Sequence, residues 1–447
     1  MRTHFCLSIA LLSFSVVSVA ETTAFVNVNV IPMSSEQVLE TRTVIVTDGV
    51  IAKIGKFGDT PVPGDAVVVD GTDRFLMPGL AEMHGHVPGA DAGSLDRVLA
   101  LYVANGVTTV RGMLGQPSHL TLRSAIASGE VLGPRLITSG PSFNGRTVTS
   151  PAQGAQMVRD QQNAGYDFLK IHPGMTREEF DSVAATANEL GIPFAGHVPE
   201  DVGVARALEA GIATIDHLDG YMQFLLRPND DLSGGVSGFF GVFIADMADE
   251  TKIETIAAAT ARSGTWNVPT ESLFAHVTSP SLLVSDMVNW PEMKYMDAAT
   301  VSRWQSAKED LLGDSNYDPD TARRAILIRQ KLLRALHASG AGLLLGSDSP
   351  QIFNVPGFAL HRELGFIVDA GIRPYDALKS GTVSPARFFG HDNEYGAVEE
   401  GLVADLILLD ANPMTDIDNS RRIHGVMLRG RWLPRSELDA LLARFER

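Results

Sequence analysis

The chain has 447 residues, 45% of them hydrophobic, enough to bury a large core and build more than one structural unit. Its formal net charge of −17 argues against nucleic acid or an anionic membrane surface as a partner and is otherwise ordinary for a soluble protein. The single cysteine, Cys6, excludes disulfides and a cysteine nucleophile from everything after the N-terminal segment.

That segment reads as a secretory signal. Arg2 sits in a short n-region, Phe5–Val17 is apolar, and Ser18-Val19-Ala20 fits a small-x-small cleavage site. The apolar run is too short to span a membrane, and no later segment reaches that length without charges. Residues 1–20 are therefore expected to be a signal peptide cleaved after Ala20, and the protein to be periplasmic or secreted.

Short alternating strands follow. Phe25–Val30 alternates cleanly, Thr43–Thr47 and Val50–Ile54 flank the hairpin signal Asp48-Gly49, and Ala66–Asp70 adds another strand. Next comes LMPGLAEMHGHVP, residues 76–88. The apolar run Leu76, Met77, Leu80 reads as a buried strand with His84 and His86 at its C-terminal end. Period-two alternation puts both imidazoles on one face, and Gly85 keeps the space between them open. Two such imidazoles are half of a metal site.

From His84 onward strands alternate with helical runs. Val107–Met113, Arg135–Phe143, Tyr166–Pro173, Pro193–Val198, Ala213–Leu218, Trp266–Phe274 and Gly342–Ser349 read as strands, making eight with the first. Thr176 and Glu179 form a capping box, and Gly191 with Pro193 stops that helix; Thr251 and Glu254 repeat the device, with Gly264 as the stop. Eight β/α units point to a (β/α)8 TIM barrel. A doubly wound sheet would need a glycine-rich phosphate loop after the first strand, and none is there.

The expected organisation is a composite β-sandwich from residues 21–79 and 390–435, a barrel over 80–389, and a C-terminal helix over 436–447 capped by Ser436. Two long segments, 223–250 and 276–320, follow barrel strands and should start at the catalytic mouth. They read as substrate-covering segments, with surface decoration the alternative for the second.

The polar residues at strand ends form one set. The first strand offers His84 and His86, the fourth Lys170, the fifth His197, the sixth His217 and the eighth Asp348. The pieces LMPGLAEMHGH, FLKIHPG, FAGHVPED, TIDHLDGY and LLLGSDSP, with TDGVIAKIGKF early and GAVEEGLVADLILLDANP late, resemble the amidohydrolase superfamily, in its imidazolonepropionase/prolidase-like (Xaa-Pro/Xaa-Arg dipeptidase-like) branch. The likeness covers nearly the whole mature chain.

The resemblance implies that His84, His86, His197 and His217 bind a pair of divalent metal ions, zinc by preference. It implies that Lys170, carboxylated by CO2, bridges them, and that Asp348 ligates one and shuttles a proton. A free ammonium would repel two dications, so Lys170 makes sense there only as an anionic carbamate; an unmodified Lys170 in a one-metal site is the alternative. For Asp348 the alternative is a cap on the next helix.

The implied chemistry is metal-assisted hydrolysis, with Asp348 taking the water's proton and returning it to the leaving nitrogen. The implied substrate is a small amide such as a dipeptide or N-acyl amino acid. A lactone, ester or carbamate hydrolase on the same site and a non-catalytic binding protein are the other readings. Tyr221, His172, Arg146 and, less directly, His361 are candidate substrate contacts. Each also has a bland reading as packing or solvent-facing. FLKIHPG departs from the glycine-rich segment of dipeptidase-like members, which puts transfer of one substrate in doubt. Partners implied are a small-molecule substrate, no nucleic acid and no membrane span, with a homo-oligomer left open.

Export with cleavage after Ala20 is checked by intact mass on protein from its native host. The expected mature chain begins at Glu21, and a chain still beginning at Met1 rules the signal out.

Overall fold

The computed structural model describes residues 22–89, 93–227, 230 and 236–447; the signal segment and Ser233-Gly234-Gly235 lie outside the described residues. Strands β1 (Thr22–Val30), β2 (Leu39–Thr47), β3 (Val50–Lys56), β4 (Val67–Asp70) and β5 (Phe75–Pro78) open the chain. The hairpin between β2 and β3 turns on Asp48 and Gly49, at φ 51° and 78°. Positive φ at both central residues matches the right-handed strand twist, which is why Asp-Gly marks such turns.

Eight strands in two parallel sheets then carry the α/β body. β6 (Leu80–Gly85), β7 (Val107–Gly112) and β8 (Arg135–Thr138) form one sheet. β9 (Leu169–Ile171), β10 (Phe194–Gly196), β11 (Thr214–Asp216), β12 (Trp266–Val268) and β13 (Gly342–Leu343) form the other, neighbours following chain order. Backbone contacts join the two sheets along both outer edges. Ser139 bridges Phe168 and Phe143 bridges Ile171 at one edge; Gly85 bridges Ser349 at the other, where Met83 N–H donates to Leu345 O at 2.9 Å. Seven of the eight strands fall where the sequence places them, and the first begins only at Leu80.

The chain ends with β14 (Leu406–Leu409), β15 (Ile423–Leu428) and β16 (Arg431–Pro434). They join β1–β5 in a single eight-stranded mixed sheet, ordered β16-β15-β14-β5-β1-β2-β3 with β4 also on β1. The expected pairing of the two terminal segments is seen, but their hydrogen bonds make one sheet. Alternation explains the fully apolar β14. Leu406 and Leu408 join Phe25, Val44 and Met427 in the sheet's own core, while Ile407 and Leu409 face the α/β body's core.

Three local expectations need correction. Leu76 and Met77 belong to β5 of the mixed sheet, not to the strand that carries His84; the chain changes sheet at Gly79. Asp249, not Thr251, caps the chain before the helix Ile253–Ser263. Ser436 lies inside the helix Arg435–Ala443, because β16 runs straight into it at Pro434 and leaves no room for a serine cap. The capping box of Thr176 and Glu179 is formed, with Gly191 left-handed at φ 71°.

The second long segment, 276–320, folds as helices packed on the shell. Trp304 lies against Phe353, and Trp290 lies against His276 and under Arg362. No residue from 276–320 lines the cavity beside His197. Segment 223–250 does reach it, through Phe239 and Phe240.

Candidate metal centre

The C-terminal ends of β6, β9, β10, β11 and the segment after β13 bring six predicted residues together. His86 Nε2 lies 2.6 Å and His84 Nε2 3.6 Å from Asp348 Oδ1. Donor atoms of these three residues lie within 4.8 Å of one another. The His217 ring stands 4.4 Å from that of His84 and 4.6 Å from that of His197, centre to centre. His217 Nε2 is 3.9 Å from Asp348 Oδ2. Lys170 Nζ, fully buried, is 3.4 Å from His84 Nε2.

Close packing depends on two missing Cβ atoms. At Gly85 a Cβ would lie 2.8 Å from the Tyr102 hydroxyl and 2.9 Å from Val110. At Gly196, where φ is 124°, it would lie 2.5 Å from Ile171 O and 2.9 Å from Lys170 Cδ.

Nδ1 of His197 and of His217 is held by a hydrogen bond, His84 Nδ1 stands in close contact with Asp216 outside hydrogen-bond geometry, and His84 and His217 turn Nε2 toward Asp348. Asp216 Oδ2 is 2.7 Å from His84 Nδ1, Asp219 Oδ2 is 3.0 Å from His197 Nδ1, and Thr270 Oγ1 is 2.9 Å from His217 Nδ1. A partner at Nδ1 fixes ring orientation and leaves the other nitrogen free to ligate. Burial, then Lys170, holds the His84 imidazolium well below the usual histidine range; burial, then His84, does the same for His217. Both rings are therefore neutral, the form that binds metal. Burial also lowers the Lys170 ammonium to about 8.

The donor set fits a divalent cation. Asp348 Oδ1 is buried and accepts no hydrogen bond of sound geometry, although two imidazole nitrogens face it. A buried carboxylate oxygen without a donor is costly, and a metal ion is the partner that neutral imidazoles and a carboxylate share.

The candidate substrate contacts separate. His172 stacks on His197 at 5.1 Å and stays beside the centre, neutral, its pKa pushed to about 2 by burial and by Lys170. Tyr221 turns away: it is fully buried, its hydroxyl is 2.9 Å from Asn267 Oδ1 and 3.0 Å from Thr260 Oγ1, and it packs in the core. Left-handed residues at His217, Leu218 and Gly220 (φ 64°, 50° and 78°) swing it off the mouth. Both ring nitrogens of buried His361 are occupied, by Ser420 Oγ and Asn105 O at 3.0 Å each. Arg146 is exposed on its loop and does not line the cavity.

Several residues of the site escaped the sequence reading. Phe240 lies flat on His217, 4.8 Å between rings at 15°, and over His197 at 6.0 Å. Arg111 sits under the centre, 1% exposed, donating to Met83 O at 2.6 Å, Thr214 Oγ1 at 3.1 Å and both oxygens of Asp216. Arg329, buried, donates to His217 O at 2.8 Å and pairs with Glu271, while Glu363 accepts the amides of Glu271 and Ser272. The signal was present: Glu82, Arg111 and Asp216 are charges inside strands of the α/β body, and such charges need partners when buried. Beside His197 lies a cavity of about 710 Å³ walled by Phe239, Phe240, Val198 and Pro173, with Asp219 and Glu200 on its rim.

The sequence profile of the amidohydrolase family matches residues 75–433. The chain belongs to the amidohydrolase family, hydrolases of carbon–nitrogen bonds. An ochratoxinase from Aspergillus niger is 23% identical over 412 residues, covering 85% of this chain and 79% of that protein. A bottromycin amidohydrolase superposes with TM-score 0.70 at 24% identity, over 94% of this chain and 88% of that one. A Xaa-Pro dipeptidase with methionine in its active site does so with TM-score 0.64 at 20% identity, over 93% and 100%. The resemblance of the motifs to the amidohydrolase superfamily thus holds.

Burial, then the Glu271 carboxylate, raises the Glu363 carboxyl to about 8. Its folded pKa lies above the unfolded value, so its stabilising share is complete below about 4.3 and is lost as pH rises through about 8. Glu363→Gln removes that share of the pH dependence. The melting temperature of the variant is expected to fall less than the parent's between pH 5 and pH 8, and equal falls would contradict it.

Proposed function

We propose that this protein is a metal-dependent amidohydrolase that cleaves an amide or peptide-like bond in a small substrate, built on a closed (β/α)8 barrel. The backbone contacts at both outer edges of the parallel sheets support closure. The observation that carries the function is the convergence of His84, His86 and Asp348 around a buried carboxylate oxygen without a hydrogen bond, with His197, His217 and Lys170 alongside.

His84, His86, His197, His217 and Asp348 would hold two divalent ions, zinc by preference, with carboxylated Lys170 between them. When bound, such ions lower the pKa of a water and polarise the scissile carbonyl. The protein's own residues do the rest. At a pKa of about 8, Lys170 exposes a neutral amine far more readily than an ordinary lysine does. That amine adds to CO2 and loses a proton, which makes the anionic carbamate. Asp348 accepts the attacking water's proton at a carboxylate oxygen and returns it to the leaving nitrogen. Asp216, Asp219 and Thr270 keep the imidazoles aimed, and Phe240 shields His217 and His197 from water.

The substrate's apolar part rests on Phe239, Phe240 and Val198, as dipeptide-like and N-acyl compounds allow. With Tyr221 and Arg146 turned elsewhere, we assign no anchor for a free carboxylate. The N-terminal segment supports export with loss of residues 1–20.

Protein reconstituted with zinc and bicarbonate is expected to carry two ions per chain and to hydrolyse members of a dipeptide and N-acyl amino acid panel. At most one ion per chain under saturation defeats the bridged pair, and a metal-loaded protein inert on every amide defeats the hydrolase reading. Lys170→Ala should lose part of the metal and regain activity with a short carboxylic acid. Asp348→Asn should lower turnover by about 10²–10⁴-fold, the usual contribution of a general acid–base group; a variant within about tenfold of the parent makes Asp348 structural.

A further inference from the structure

Asp348 is held from both sides. Its backbone is left-handed, φ 61°, and the serines that flank it are fully buried. A non-glycine residue adopts that conformation only when its surroundings impose it, and aspartate is among those that tolerate it.

Glu82 supplies much of the imposition. It lies on β6, is fully buried, and does not line the cavity beside His197. Its Oε1 accepts the Ser347 N–H at 2.8 Å and the His84 N–H at 3.0 Å. Its Oε2 accepts the Ser347 hydroxyl and stands 3.5 Å from Ser349 Oγ. One carboxylate therefore ties the backbone of His84, on the first parallel strand, to both neighbours of Asp348, after the last. The clamp is completed on its far side: the Tyr102 hydroxyl donates to Ser349 O at 3.0 Å, Asn354 Nδ2 to Ser347 O, and His86 N–H to Ser349 O at 2.8 Å.

We propose that Glu82 is a positioning residue. It fixes Asp348 Oδ1 against His84 and His86 and so sets the metal affinity of that donor triad. The inference rests on the metal-site reading above. Glu82 does not line the cavity, and its hydrogen bonds go to the two serines and the His84 backbone amide, so its action runs through these groups. A glutamine in its place can still accept both amides with its one oxygen and can donate to Ser347 Oγ, whose proton then turns to Ser349 Oγ at 3.1 Å. A leucine can do none of this.

The test measures zinc affinity of the full chain by competition with a chromogenic chelator, together with the visible absorption of the cobalt(II)-loaded protein. Circular dichroism of the metal-free chains checks the fold. Glu82→Leu is expected to bind zinc about 10–100-fold more weakly, the usual cost of losing a residue that orients metal ligands, and to alter the cobalt spectrum. Glu82→Gln is expected within about threefold of the parent, because its hydrogen bonds survive. Ser347→Ala, which drops a single hydroxyl, gives about 2–10-fold and serves where Glu82→Leu does not fold. Parent-like zinc affinity in Glu82→Leu and Ser347→Ala, or equal losses in Glu82→Gln and Glu82→Leu, overturns the inference while leaving the metal site standing. A parent chain that binds no zinc overturns the metal reading and this inference with it.

Discussion

A guanidinium in the middle of a protein must be neutralised where it stands, and that constraint shapes everything beneath the candidate metal centre. Arg111 reaches from β7 across the interior to Asp216 on β11 and takes Met83 O of β6 on the way. Three strands are thereby tied to one side chain. Removing one partner of such a pair leaves an uncompensated buried charge, which costs about 3–5 kcal/mol. Burial alone would raise the Asp216 carboxyl; Arg111 and Lys170 hold it below the ordinary range instead. Ionised Asp216 is then available to His84 Nδ1, so the structural charge pair and the orientation of the first histidine are one system.

The layer above repeats the logic with less charge. His84 and His217 pack ring to ring as neutral imidazoles, because burial makes a further cation there expensive and Lys170 adds to the cost at His84. The buried Lys170 ammonium, lowered to about 8 by burial despite the carboxylates of Asp216 and Asp348, gives up its proton far more readily than an exposed lysine does. Around this layer, Glu82 ties Asp348 to His84, and Arg329 ties the backbone of His217 to the helix Glu271–Thr278. The candidate ligands stand on left-handed or strand-end backbone, and buried charged groups from neighbouring elements hold that backbone in place.

Much of this was legible in the chain. The pair His84 and His86 around Gly85, the eight strands alternating with helical runs, the Asp48-Gly49 hairpin and the Thr176–Glu179 capping box are local signals, each fixed by alternation, turn sterics or cap hydrogen bonds. They survive because tertiary packing agrees with them. Glu82, Arg111 and Asp216 were visible as charges in strands of the α/β body, but their pairing was not. Partners separated by 105 residues, as Arg111 and Asp216 are, meet only through strand order and register. Segment 223–250 reads in the sequence as a cover over the mouth, but which of its residues face inward is not legible there: the place of Phe240 over His217 depends on a left-handed turn at φ 48°.

The sequence by itself determined the inventory and its addresses: four histidines, a lysine and an aspartate at the ends of strands, with strand-rich segments at both ends of the chain. Those are consequences of residue type and period. Tertiary structure decided which side chains face the centre once the strands end. Alternation by two holds only while the backbone stays extended, and His217, Leu218, Thr270 and Asp348 all leave it with positive φ. Each such residue redirects the chain beyond it, which is why Asp348 meets His84 and His86 while Tyr221, four residues past His217, is turned into the core.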